Sequence, residues 1–129
     1  MGYTIEISFN IAQASQKSKW TQIVNTLSEK YNFEYYETYE FDANIKCIKS
    51  HYIVTIQFHH NEHLIIQFIK HAKKIPGLHI ESIYNESFHK LIYASKFYKL
   101  FLGNKETLKH FKPRAYSLND TDIIEELNK

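Results

Sequence analysis

The chain has little cysteine, with Cys47 alone among 129 residues. A single thiol excludes a disulfide framework and a cysteine-based zinc site, and points to a reducing, intracellular setting. Glycine is scarce too. None of the three glycines falls in a GxGxxG or GxxxxGK[ST] pattern, so nucleotide-triphosphate chemistry is not expected. There is no GxSxG elbow and no nucleophile motif around Cys47. No run approaches the roughly 18 apolar residues of a membrane-spanning helix. The opening stretch MGYTIEISFNI has no basic leader and alternates polar with apolar residues, so it reads as neither signal peptide nor membrane span. After Met1-Gly2, position 6 is Glu6 where a myristoylation signal needs Ser or Thr. The expectation is a cytoplasmic chain with no membrane partner.

What is abundant is aromatic: ten Tyr, nine Phe and one Trp. These side chains bury large areas, and any surplus beyond the core becomes contact surface. At 129 residues the chain is the size of one domain, large enough to bury its own core. The net charge of +2 hides an uneven distribution. Residues 1–60 hold five Lys against six acids; residues 61–116 hold nine Lys and Arg114 against four acids; residues 117–129 hold one Lys against four acids. A basic middle and an acidic tail suit a polyanion-facing surface, a tail folded back on its own basic face, or simple solvation.

The hydrophobic period changes along the chain. Tyr3, Ile5, Ile7, Phe9 and Ile11 alternate with Thr4, Glu6, Ser8 and Asn10, which predicts a half-buried strand. Trp20, Ile23, Val24, Leu27 and Tyr31 recur at spacings of three and four, predicting a helix with Ser15 or Ser18 as N-cap. Residues 33–41 alternate again, and a turn at Asp42-Ala43-Asn44 leads into a second arm over residues 45–58, strongest at Tyr52, Val54, Ile56 and Phe58. Asn61 suits the N-cap of a second helix with Leu64, Ile65, Phe68, Ala72 and Ile75 inward, ended by Pro76-Gly77. Leu78 to Tyr84 reads as a strand and Lys90 to Ala94 as a short further one. Phe97, Leu100 and Phe101, then Leu108 and Phe111, suit short helices. In the tail, Asp120 reads as a cap and Ile123, Ile124 and Leu127 as a narrow stripe.

The order β-α-β-β-α-β, with an extra strand, is that of the split β-α-β or ferredoxin-like arrangement, an α+β antiparallel sheet with two covering helices and an open second face. Residues 1–95 make that unit, and residues 96–129 a helical extension with an acidic tail within the same domain.

His59, His60, His63 and His71 crowd into thirteen residues. His59 and His63 have i, i+4 spacing, but His59 ends a strand and the two do not share a helix face. There is no HExxH, and the positive end of a helix repels a cation. The histidines read as polar surface residues, with a phosphate-contacting cluster at a helix N-terminus as the sharper alternative. No metal or cofactor is expected.

Two resemblances follow. The same element order occurs in the RNA-recognition motif, but KSHYIVTIQF lacks the glycines and internal aromatic of that family's signature, so topology alone is shared. Ile, Asn, Lys, Tyr and Phe make up 60 of 129 residues, while Gly, Ala, Arg and Pro make 12. This AT-rich bias, found also in bacteria and protists of that base composition, resembles the small uncharacterised proteins of mimivirus-like large DNA viruses, and the resemblance implies life in the cytoplasm of an infected host.

Three functional expectations result. The first is a non-enzymatic interaction or assembly module, self-associating or binding a protein partner through the uncovered sheet face. The second is sequence-independent RNA or DNA binding by Lys90, Lys96, Lys99, Lys105, Lys109, Lys112 and Arg114, interleaved with Tyr93, Phe97, Tyr98, Phe101 and Phe111. Amphipathic packing of the same aromatics is the plainer account of that spacing. The third is a small-ligand or enzyme cleft around Glu37, a carboxylate on an otherwise aromatic face, with Tyr35, Tyr39 and His51.

Overall fold

The computed structural model describes residues 2–10, 15–40, 51–59, 62–99 and 110–129. The expected turn at residues 42–44, the first part of the following arm at residues 45–50, the Asn61 cap, His60 and the helical readings over residues 100–109 lie outside them.

The architecture is α+β. Five strands, β1 (Tyr3–Asn10), β2 (Glu34–Glu40), β3 (His51–Phe58), β4 (Leu78–Asn85) and β5 (Lys90–Ala94), form one antiparallel sheet in the order β2-β3-β1-β4-β5. Among the described residues, the helices α1 (Ser15–Tyr31), α2 (Glu62–Ala72) and α3 (Leu118–Asn128) accompany it, and residues 96–99 are also helical. None of them is long and apolar enough to cross a membrane.

Period-two alternation puts one apolar set on one face. The β1–β3 register pairs Ile5 with Ile56, Ile7 with Val54 and Phe9 with Tyr52, all buried. The helical stripes close over this face. Trp20 of α1 stacks on Phe9 at 4.5 Å between ring centroids, and Phe68 of α2 meets Phe33 and Phe58 at 5.5 and 5.4 Å. Each fully buried Phe or Ile contributes roughly 1.5–3 kcal/mol. After α2 the chain turns sharply at Gly77, whose φ of +84° suits glycine, and a Cβ there would lie 3.2 Å from the Trp20 ring.

The tail joins the same core, since Ile123 of α3 is buried in it. Its cap differs from expectation. Ser117 is the N-cap, and its Oγ accepts from the Asp120 backbone N–H at 3.3 Å. Asp120, three residues on, turns its carboxylate into the core instead of capping. The buried residues of α3 are Asp120, Ile123 and Glu126, whereas Ile124 and Leu127 are half-buried.

The second sheet face is not open, contrary to expectation. Ser8, Ile53, Thr55, Glu81 and Ser82 are buried. The β1–β4 register shifts between Glu6 and Ile7, so Glu81 is an extra residue beside Ser82, a β-bulge. Its carboxylate accepts from Ser8 Oγ at 2.7 Å and from Ser95 Oγ. Just after β5, Tyr98 hydrogen bonds to Ser82 and lies near Glu6. Part of the aromatic surplus therefore serves this second face. The cause is the bulge, which ties the segment following β5 back onto the sheet.

Candidate nucleic-acid interface

The site grows from one buried carboxylate. Asp120 is fully buried, and its Oδ1 accepts from the Tyr3 hydroxyl at 2.7 Å and Asn85 Nδ2 at 2.8 Å, while Oδ2 accepts from the Tyr116 backbone N–H at 2.8 Å. Buried charge is costly unless hydrogen bonds satisfy it, and these donors do so. Asn85 carries the order outward. Its Oδ1 accepts from the backbone N–H groups of Ser87 at 3.0 Å and Phe88 at 3.2 Å, fixing the β4–β5 turn. His89 completes that turn at φ 53°, in the left-handed region.

Two aromatic rings meet where these anchors end. Phe88 and Tyr116 stack with centroids 6.0 Å apart and planes at 28°. Phe88 is 49% exposed. The Arg114 guanidinium lies 5.2 Å from the Tyr116 ring, a cation–π distance.

A second anchor sits beyond the other end of β5. Lys99 Nζ donates to the Phe111 carbonyl at 3.1 Å, and Ser95 Oγ accepts from the Tyr98 backbone N–H at 3.0 Å. Residues 111–116 are therefore tied at one end to the helical residues 96–99 after β5 and at the other to the hairpin before it. Lys90, Lys96, Lys112 and Arg114 are exposed along this margin. Lys99 is half-buried and occupied by Phe111, and Lys105 and Lys109 lie outside the described residues. Tyr93, Phe97, Tyr98 and Phe111 are half-buried, in keeping with a packing role for much of the aromatic interleaving. Burial, with the Glu81 carboxylate, raises the pKa of Tyr93; burial, with Glu6, raises that of Tyr98.

The Glu37 group is arranged differently from the sequence reading. Glu37 lies on the edge strand β2 opposite Val54 and is exposed. The buried Tyr52 hydroxyl hydrogen bonds to it, and burial first, then this carboxylate, hold Tyr52 far above the ordinary tyrosine range. Tyr35 donates to Asn25 Oδ1 of α1, and burial followed by Glu37 raises its pKa. Tyr39 pairs with Tyr52, and His51 with Glu40. Two surface pockets lie against the helices, one including Ile23, Leu27, His71 and Ile75, the other His63, Lys70, Asn119 and Asp122. Neither is lined by Glu37 or Tyr35.

The histidines disperse. His59 Nε2 meets Glu34 Oε2 at 3.2 Å on the surface, His71 Nδ1 meets the Tyr31 hydroxyl at 3.0 Å, and His63 is exposed. Among the described residues no three His, Cys, Asp or Glu side chains gather as a metal-ligand set.

Sequence reasoning missed Phe88, Tyr116 and the Asn85–Asp120 link. Signals existed: an aromatic in the turn-forming NESFH, and a Ser-x-x-Asp start to the tail helix. No family model, curated protein or solved structure matches the chain.

Proposed function

We propose that the chain is a non-enzymatic binding module on a ferredoxin-like frame, and that the basic margin beside β5 takes the backbone of nucleic acid without sequence preference. The run β2-β3-β1-β4 supports that frame, with β1 and β3 central and β5 added outside β4. The observation that carries the binding reading is the anchoring of residues 111–116 across the ends of β5, which holds the segment bearing the exposed Lys112 and Arg114 beside the strand that begins at the exposed Lys90. Exposed cations on a fixed support neutralise phosphates and release their counterions. A single Arg leaves little capacity for bidentate base recognition, so binding through this margin is insensitive to sequence.

Self-assembly through a sheet face has less support, because the second face is buried at its centre. Pairing through the β2 edge would set Glu34, Glu37 and Glu40 against their own copies.

Titration of single-stranded RNA and DNA against salt tests the reading. If the four exposed cations each neutralise one phosphate, the logarithm of affinity falls with the logarithm of salt at a slope of about −3. Absence of affinity at low salt overturns the proposal, and a concentration-dependent dimer under those conditions would point to assembly instead.

A further inference from the structure

We infer that Phe88, backed by Tyr116, offers its exposed ring as a stacking platform for an unpaired base, so that the module selects single-stranded over double-stranded nucleic acid. This rests on the backbone-binding reading above and adds a site within it. Phe88 belongs to no core: it stands on the β4–β5 turn, 49% exposed, with Tyr116 as its ring partner. The turn that presents it is fixed from below. Asn85 accepts from the Phe88 backbone N–H, the same Asn85 donates to Asp120, and Asp120 holds the Tyr116 backbone. The backbone under both rings therefore hangs from one buried carboxylate, so the turn needs no further ordering on binding.

The chemistry around the rings identifies the occupant. A base stacks on an aromatic face whatever its identity, and its flanking phosphates need cations within a nucleotide's reach. Arg114 lies against Tyr116, and Lys90 follows Phe88 by two residues, both exposed. An apolar peptide would gain from the rings and nothing from the cations. A duplex would gain from the cations and nothing from the rings, because its bases are already stacked on both faces.

The test compares a homopyrimidine oligonucleotide of about 12 nucleotides with a duplex of equal length by fluorescence anisotropy, at one low salt concentration. Wild type is expected to prefer the single strand. Phe88→Leu keeps an apolar side chain at the turn but removes the ring; it should weaken single-strand binding about tenfold and leave duplex binding unchanged. Phe88→Trp should retain affinity, and its emission should be quenched by the single strand alone, with the buried Trp20 as an internal reference. Circular dichroism checks that both variants fold. Equal single-strand affinity for Phe88→Leu and wild type, or equal quenching of Phe88→Trp by both ligands, overturns the platform and leaves the backbone reading standing. Failure of wild type to bind either ligand overturns both.

Discussion

The two edges of the sheet carry acids and bases in opposite ways. On β2 the acids Glu34, Glu37 and Glu40 stand on the strand itself, and Glu34 and Glu37 are in solvent. Beside β5 the acids Glu81 and Asp120 are buried and consumed by internal hydrogen bonds, and the half-buried Glu86 accepts from Thr4 Oγ1, while Lys90, Lys96, Lys112 and Arg114 are outside. The numbers of charges on the two sides matter less than their depth. A buried carboxylate contributes to order and leaves the surface field to the cations, whereas an exposed one defines that field. One edge thus presents exposed acids and the other exposed cations, in a chain whose net charge is only +2.

The largest effect should come from removing the deepest acid. Asp120→Ala strands the Tyr3 hydroxyl, the Asn85 amide and the Tyr116 N–H, and should cost about 3 kcal/mol in urea unfolding. Glu37→Ala on the opposite edge should cost about 0.5 kcal/mol or less. Equal costs would break the contrast between the edges.

Alkaline titration sharpens the contrast through tyrosine. Burial is the leading cause that raises Tyr52 and Tyr35 on the acidic side and Tyr93 and Tyr98 on the other. Each hydroxyl therefore keeps its proton to higher pH when folded than when unfolded. Stability is fully present below the ordinary tyrosine value of 10.0 and is lost as pH rises above it, by up to about 1.4 kcal/mol per pH unit for the buried Tyr52. Absorbance near 295 nm, a wavelength of about the tyrosinate maximum, should show this group ionising with unfolding. Glu37→Gln should bring Tyr52 and Tyr35 down and leave Tyr93 and Tyr98 unmoved. A shift in all four would mean that the two sides are electrostatically coupled.

Smaller effects belong to the surface. Lys90→Ala with Arg114→Ala should flatten the single-strand salt slope by about 1.4, while Glu37→Gln should leave it unchanged. Smallest of all, Glu34→Ala removes the exposed contact to His59, and its effect on stability should stay within about 0.5 kcal/mol.

Much of the frame was legible because local period and burial agree. Tyr3, Ile5, Ile7 and Phe9 alternate in sequence and are buried together, and Trp20, Val24, Leu27 and Tyr31 follow the helical period and pack over them. Lys90 to Ala94 read as a strand and is one. The site was legible only by halves. The exposed cations of the basic stretch were evident from their density, but Phe88 lay outside its boundary at Lys90 and Tyr116 beyond Arg114. Asp120 was read as a cap because Asp near a helix start usually is one, and nothing local reveals that Tyr3 and Asn85 wait 117 and 35 residues away.

The sequence by itself determined which residues of β1, β3 and α1 face the core between sheet and helices, since alternation and the 3.6-residue period act within a few residues of chain. It also determined the charge blocks, whose sign is fixed by composition. Tertiary structure alone decided which acids are buried, that the bulge at Glu81 draws the segment after β5 across the second face, and that Phe88 and Tyr116 meet. Those outcomes depend on hydrogen bonds and ring contacts between residues distant along the chain. Their partners exist only once the sheet has brought its ends together, and no local pattern encodes a distance that folding creates.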